Sequence, residues 1–227
     1  MSKKETRADS SLENVEQALG RTELFIEKNQ KTITIIVLAL IVLVGGYWAY
    51  KKLYIEPLEV EAQRQVFYAQ TSFGNDEYQE ALDGDGNSPG FLEIIDTYGS
   101  TPMGNLANYY AGISYLHLGE FEEAISYLKK FKTSNIELKS IAAGAMGDAQ
   151  LELGNKEEAI KAYNKAISSP TSEITTPYYL LKIGIVYEEL GENDKALASY
   201  KTIKEEYKKS TEARQIDKYI TRAKLKQ

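Results

Sequence analysis

The stretch that decides the fold lies at residues 109–131 and reads YYAGISYLHLGEFEEAISYLKKF. An apolar segment with helical periodicity runs up to Gly119, and a second apolar segment follows it. Because Gly adopts a left-handed backbone without steric cost, Gly119 predicts the end of one helix and the start of the next. The stretch is therefore predicted to fold as a helix hairpin.

Residues 142–166 and 179–203 repeat this pattern, as AAGAMGDAQLELGNKEEAIKAYNKA and YLLKIGIVYEELGENDKALASYKTI. The spacing between corresponding residues is 35 and then 37 residues. Small residues occupy the shared positions: Gly112, Gly147 and Gly184; Gly119, Gly154 and Gly191; Ala124, Ala159 and Ala196. The first and third sets predict that the two helices of each hairpin cross closely, since large side chains would push them apart.

This order of a small residue, an aromatic, Leu-Gly, Ala and Tyr resembles tetratricopeptide repeats, whose period is about 34 residues. The resemblance covers residues 105–210. It is incomplete at Asn108, Ala143 and Leu180, where an aromatic is usual, and at Gln150, where the sister units have Tyr. It implies an all-α solenoid of three repeats with no catalytic role.

Two flanking segments are predicted to extend the array. Residues 51–104 contain a linker helix and a degenerate first repeat that is interrupted by an insertion. Residues 211–227 form a capping helix and tail, which such arrays need to cover the last apolar face. The insertion, DGDGNSPG at residues 83–90, has oxygen donors at alternate positions as a calcium loop does, but it has Ser88 and Ile94 where Gly and a bidentate Glu are expected. A tight surface loop is the better interpretation.

Residues 32–50, TITIIVLALIVLVGGYWAY, contain no formal charge and are long enough to cross a bilayer as a helix. The aromatic residues at their C-terminal end favour the membrane interface. A cleaved signal peptide would have a shorter basic start, and 31 residues precede this stretch. A buried core helix would need protein on every side. We therefore predict an all-α chain with one N-terminal transmembrane helix and membrane lipid around residues 32–50.

Basic residues favour a cytoplasmic N-terminus. Six of them precede the span: Lys3, Lys4, Arg7, Arg21, Lys28 and Lys31. Three follow it: Lys51, Lys52 and Arg64. Within the cytoplasmic segment, residues 1–31, Ser10 and Glu13 have the spacing of a capping box, and Leu12, Val15 and Leu19 follow Ser10 at helical spacing. This pattern predicts a short amphipathic helix; a partly ordered tail is the alternative.

Composition limits the chemistry. Residues 53–200 contain 23 acids and 10 bases, which argues against nucleic acid as a partner. Residues 201–227 contain 4 acids and 9 bases; they are predicted to form a solvated final helix pair, and a contact with anionic lipid is the alternative. The chain has no Cys, and His117 is its only histidine, so metal clusters and Ser-His or Cys-His pairs lack the necessary residues. No Gly-rich phosphate loop is present. We predict no enzymatic activity, no cofactor and no metal.

The resemblance also implies a protein-binding groove lined by the first helices of the repeats. Its predicted residues are Tyr109, Ile113, Leu116, Asp148, Tyr178, Lys182 and Ile185. Packing between repeats is the alternative role for about half of them. Repeats that clamp the carboxylate of cytosolic chaperones use Lys, Asn, Asn, Lys and Arg; the corresponding residues here are Tyr109, Ile113, Ala145, Tyr178 and Lys182, so that clamp is absent. An apolar or extended peptide suits the groove better.

The whole arrangement is similar to YfgM-like ancillary subunits of the bacterial Sec translocon, and some segments are similar to envelope tetratricopeptide proteins of Bacteroidetes-type bacteria. That resemblance implies a bacterial inner-membrane protein with a periplasmic C-terminal domain. Its partners would be a SecYEG-type translocon, secreted polypeptides or a membrane-anchored periplasmic chaperone. The alternative is a structural scaffold in a cell-envelope assembly, in outer-membrane biogenesis or cell division.

Overall fold

The computed structural model describes the backbone of residues 5–168 and 172–226, and the side chains of residues 27–168 and 172–226. The described residues form helices and no strand, which confirms the predicted all-α class. The helical elements are α1 (Glu5–Tyr50), a π-helical turn (Lys51–Ile55), α2 (Glu56–Gln65), α3 (Phe67–Gly74), α4 (Tyr78–Asp83), α5 (Phe91–Tyr98), α6 (Pro102–Leu118), α7 (Phe121–Lys130), α8 (Ile136–Glu152), α9 (Lys156–Ile167), α10 (Thr175–Glu189), α11 (Asn193–Glu206), a 3-10 turn (Glu212–Gln215) and α12 (Ile216–Leu225). They belong to two compact units, Met1–Glu56 and Pro57–Gln227.

The first unit is dominated by α1. The segment predicted to form a short separate helix is the first part of this long helix, and Ser10 lies inside it rather than at its start. The side chains of Leu12, Val15 and Leu19 lie outside the described residues, so their apolar face stays a prediction. One helical stretch, Glu27–Gln65, is long and apolar enough to cross a membrane by length and composition. A signal sequence near the N-terminus passes the same test of length and composition. The core helix of a soluble protein passes it too, but such a helix is mostly buried, whereas none of this apolar window is buried.

Three helix hairpins form the body of the second unit: α6 with α7, α8 with α9, and α10 with α11. Each turn is made at the predicted glycine, because Gly119, Gly154 and Gly191 have φ values of +82°, +79° and +75°. The second helices follow directly and have acidic residues in their first turns, where the helix dipole favours negative charge. The hairpin turns predicted from the sequence are thus confirmed.

A glycine in each first helix contacts a large side chain of the second helix. A Cβ atom on Gly112 would lie 2.6 Å from Leu128 Cγ, and one on Gly147 would lie 2.5 Å from Tyr163 Cδ1. On Gly184 the distance to Tyr200 Cε1 would be 2.2 Å. Ala124, Ala159 and Ala196 are fully buried. The close helix crossing predicted from the small residues is therefore confirmed in all three hairpins.

Helices α2 to α5 occupy the region predicted to be a degenerate repeat with an insertion. Their core includes Val66, Leu82, Phe91 and Ile94. The insertion between α4 and α5 closes on itself: Asp85 Oδ1 accepts hydrogen bonds from the backbone N–H groups of Asn87 and Ser88 at 2.9 and 2.7 Å. These two donors lower the pKa of the Asp85 carboxyl. The loop is thus held by its own backbone.

The array ends on α12, which buries Ile216, Ile220 and Ala223 against α11. Glu188 of α10 lies beneath this helix with only 3% of its side chain exposed, and Arg222 donates two hydrogen bonds to it at 2.8 Å. Tyr200 Oη and Lys226 Nζ donate to the same carboxylate at 2.8 and 3.1 Å. Two of the basic tail residues for which a contact with anionic lipid was considered therefore bind Glu188.

We predict that Gly147→Ala destabilises the protein by about 1–3 kcal/mol, because Tyr163 is fully buried and cannot yield to the added methyl group. The control is Gly74→Ala at the end of α3, where a Cβ atom would meet nothing within 4 Å. Chemical unfolding followed by circular dichroism measures both free energies of unfolding. Equal stability of the two variants would contradict the close crossing.

A second prediction concerns acid stability. Burial alone would raise the pKa of Glu188, but hydrogen bonds from Arg222, Tyr200 and Lys226 outweigh it and lower that pKa to about 2. The stabilisation is present above the unfolded-state pKa of about 4.3 and is lost as the pH falls through the folded-state value. We expect wild type to lose up to about 3 kcal/mol between roughly pH 5 and pH 2 from this group.

Glu188→Gln should have a lower free energy of unfolding than wild type at neutral pH. Because Gln does not titrate, this free energy should then fall less than that of wild type on acidification. Unfolding curves over the same pH range measure the difference. Glu189→Gln serves as the control, because Glu189 is an exposed neighbour on the same helix. A Glu188→Gln curve parallel to that of wild type would contradict the assigned pKa.

Candidate functional site

A cleft of about 410 Å³ lies between the first helices of the three hairpins, α6, α8 and α10. We call it the first-helix cleft. Its lining residues are Leu116, His117, Gly119, Phe121, Asp148, Leu151, Glu152 and Lys182. Consecutive first helices lie side by side because the hairpins stack, and this stacking brings residues of three repeats to one surface.

Asp148 and Lys182 form the polar side of the cleft. Lys182 Nζ lies 2.6 Å from Asp148 Oδ1, and the two side chains are 27% and 31% exposed. Tyr163 Oη donates a hydrogen bond of 2.6 Å to the same oxygen. Among the described residues, no side chain donates a hydrogen bond to Asp148 Oδ2. This leaves one carboxylate oxygen available to accept a hydrogen bond from a ligand.

Aromatic rings surround the ammonium group of Lys182. Its nitrogen lies 4.9 Å from the ring centre of Tyr178 and 5.7 Å from that of Tyr163. Burial by itself would lower the pKa of Lys182, but the Asp148 carboxylate outweighs this effect and raises it. Burial and the hydrogen bond to Asp148 also raise the pKa of Tyr163. Lys182 is thus a fixed cation and Tyr163 a neutral donor at physiological pH.

The apolar side of the cleft is formed by Leu116, Phe121 and Leu151. His117 lies at its edge and stacks on Tyr78 of α4, with ring centres 4.3 Å apart and the planes 5° from parallel. The only histidine of the chain therefore makes an aromatic contact with the degenerate repeat. The cleft combines apolar walls with one carboxylate oxygen and one lysine, a combination that can hold a polypeptide side chain and its backbone amide.

The structure brings three of the seven predicted groove residues together in this cleft, namely Leu116, Asp148 and Lys182. Tyr178 lies beside them and is 43% exposed. Tyr109 and Ile113 are half-buried in the cluster of Leu128, Phe131, Ala142 and Ala145, which joins the first and second hairpins, so they serve packing between repeats. Ile185 is half-buried and does not line the cleft.

Sequence reasoning missed Tyr163, which orients Asp148, and four lining residues, His117, Phe121, Leu151 and Glu152. A signal for the ion pairs was present. Asp148 and Lys182 are 34 residues apart, and so are Glu188 and Arg222. Opposite charges 34 residues apart, one on a first helix and the other on the next first helix or on α12, therefore indicate contacts between stacked units.

We find no metal site in the part of the chain that the structure describes, where no three His, Asp or Glu side chains are placed to hold an ion. Lys182, which stands at the position of the clamp's Arg, forms an ion pair with Asp148. The cleft offers hydrogen bonding and apolar contact.

Family models described as "Tetratricopeptide repeat" match residues 106–135, 142–170 and 178–210. A TPR repeat-containing protein of Methanocaldococcus jannaschii is 29% identical over 103 residues, which are 45% of this chain and 17% of that protein. The chain thus spans less than a fifth of the length of this relative.

Two solved structures of MamA are also similar. One has a TM-score of 0.50 at 21% identity and covers 73% of this chain and 91% of its own. The other has a TM-score of 0.42 at 26% identity and covers 60% and 88%. Tetratricopeptide repeats bind other proteins and are generally not enzymes. The matched residues are those of the three hairpins, so this part of the chain is similar to tetratricopeptide-repeat proteins.

Proposed function

We propose that this chain is a non-enzymatic, membrane-tethered module that binds polypeptides in the first-helix cleft. The observation that carries the proposal is the cleft itself, where apolar walls surround one available carboxylate oxygen of Asp148 and the ammonium group of Lys182. An extended polypeptide can insert an apolar side chain between Leu116 and Leu151. Its backbone N–H can donate to Asp148, and its carbonyl can accept from Lys182.

The tether is supported by the exposure of the apolar part of α1. Nine large aliphatic side chains between residues 35 and 44 are 47–71% exposed in the structure. Leaving them in water would cost on the order of 10 kcal/mol, so they need lipid or protein around them. Tyr47, Trp48 and Tyr50 follow directly and are also exposed, as befits rings at a headgroup boundary.

We further propose that the chain lies in a bacterial inner membrane, with a cytoplasmic N-terminus and a periplasmic repeat domain. The similarity to YfgM-like subunits favours a role beside a SecYEG-type translocon, with secreted polypeptides or a membrane-anchored periplasmic chaperone as ligands. A fixed scaffold role in an envelope assembly is the second candidate. It is favoured by the pairing of Lys182 with Asp148, because a partly closed cleft suits one permanent ligand better than many transient ones.

The orientation can be tested by cysteine labelling, because the chain has no native Cys. Ser134→Cys lies on an exposed turn of the repeat domain and Ser2→Cys precedes the span. We expect a membrane-impermeant maleimide to label Ser134→Cys in spheroplasts, and Ser2→Cys only after permeabilisation. Labelling of Ser2→Cys in intact spheroplasts would contradict the proposed orientation.

The ligand can be tested by placing a photo-crosslinking amino acid at Glu152, an exposed residue of the cleft, in the full chain in native membranes. Ala198 on α11 is the matched control, since it is exposed and outside the cleft. We expect adducts with other polypeptides at position 152 and not at position 198.

Mass spectrometry of the adducts separates the candidates. Translocon subunits or secreted chains support the first, and one other envelope protein in every adduct supports the scaffold. Identical adducts at both positions would show that the cleft is not the binding surface.

A further inference from the structure

A second recess lies on the other side of α8, bounded by the second helices α7 and α9. Its volume is about 690 Å³, larger than that of the first-helix cleft. We call it the lysine groove, because five lysines line it: Lys129, Lys132, Lys139, Lys161 and Lys165. Glu158 is the one acidic residue among its lining residues.

The charge of this groove is opposite to that of the surrounding chain. Residues 53–200 contain 10 bases and 23 acids, and 5 of those 10 bases line the groove. Half of the positive charge of an acidic region is thus gathered at one recess. A solvated helix face would instead carry its lysines interspersed with acids, as in the ion pair of Lys195 with Glu192, three residues before it.

Three of the five lysines keep their charge available. Lys161 pairs with Glu158 at 2.6 Å, and Lys132 Nζ donates to the Lys129 carbonyl at 3.1 Å. Within residues 27–168 and 172–226, the ammonium groups of Lys129, Lys139 and Lys165 have no carboxylate within ion-pair distance. Lys129 and Lys165 lie in the last turns of α7 and α9, where the helix dipole favours a cation, but the dipole does not neutralise the charge.

The floor of the groove is apolar and consists partly of small residues. Leu128 and Phe131 of the first hairpin meet Ala142, Ala143 and Met146 of α8 there. The alanines leave space that larger side chains would fill, so a bulky side chain from a ligand can enter between α7 and α9. A recess with an apolar floor and an unpaired cationic rim matches an acidic segment that carries bulky apolar residues.

We propose that the lysine groove is a second docking surface, which binds an acidic amphipathic segment of a partner polypeptide through its unpaired lysines and its alanine floor. This surface is distinct from the first-helix cleft and does not depend on the function proposed for it. The ligand inserts one or two apolar side chains over Ala142 and Ala143. Its Asp or Glu residues meet Lys129, Lys139 and Lys165.

The proposal can be tested with the full-length chain in non-ionic detergent and two fluorescent amphipathic peptides. The peptides share the same Leu and Phe positions, and their polar residues are Glu in one and Lys in the other. We expect the Glu peptide to bind with an affinity that falls as salt rises, and the Lys peptide not to bind. Lys139→Glu/Lys165→Glu should weaken binding by about tenfold or more.

Lys208→Glu/Lys209→Glu is the matched control, because it changes the net charge equally at exposed positions near the C-terminus and should leave binding unchanged. Ala162→Trp tests the apolar contact without altering charge: Ala162 lines the groove and is half-buried, so the indole should obstruct it and weaken binding. Circular dichroism confirms that each variant is folded. If Lys208→Glu/Lys209→Glu weakened binding of the Glu peptide as much as Lys139→Glu/Lys165→Glu, the effect would come from net charge alone, and the proposal would be overturned.

Anionic phosphatidylglycerol vesicles and single-stranded oligonucleotides serve as competing ligands. If either binds in a way that Lys139→Glu/Lys165→Glu abolishes while the Glu peptide does not bind, the groove recognises lipid or nucleic acid and the proposal fails. Because the first-helix cleft is untouched in these variants, crosslinking from Glu152 distinguishes failure of this proposal from failure of the proposed function.

Discussion

The contact between a glycine and a large side chain, made once in each hairpin, is the constraint on which the rest of the structure depends. With no Cβ atom at Gly112, Gly147 and Gly184, the backbone of the first helix approaches the second helix until it touches Leu128, Tyr163 or Tyr200. This approach sets the spacing of the two helices, and the left-handed glycine at each turn sets their reversal. Three hairpins with the same internal geometry then stack, because each leaves an apolar face that only its neighbour can cover.

The identity of the large residue at this contact differs between hairpins, and the difference has consequences for chemistry. Leu128 fills the space in the first hairpin with carbon alone. In the second and third, Tyr163 and Tyr200 fill it with a ring whose hydroxyl group must find an acceptor when buried. Tyr163 donates to Asp148, which holds that carboxylate in the first-helix cleft, and Tyr200 donates to Glu188, which joins the array to α12. One packing position thus orients both the candidate site and the end of the solenoid.

The sequence predicted the features that recur, and it predicted less well the features that occur once. Glycines and alanines at fixed spacing indicated the hairpins, their turns and their close crossings, because these depend on contacts inside one unit. The roles of the groove residues were harder to predict. Tyr109, Ile113 and Leu116 all pack against the cluster between the first and second hairpins, but only Leu116 also lines the cleft. That outcome depends on how neighbouring repeats stack, which no single unit encodes. The prediction for the tail rested on its net charge alone. In the structure, Arg222 and Lys226 form ion pairs with the buried carboxylate of Glu188.

These contacts also separate two kinds of charge in the repeat domain. Lys182 and Arg222 each pair with a carboxylate 34 residues away, so their charge holds α10 against α8 and α12 against α10. Lys139 and Lys165 line a recess on α8 and α9, and neither has a carboxylate within ion-pair distance among the described residues. The same stacking that pairs Lys182 and Arg222 with carboxylates therefore leaves Lys139 and Lys165 available for binding.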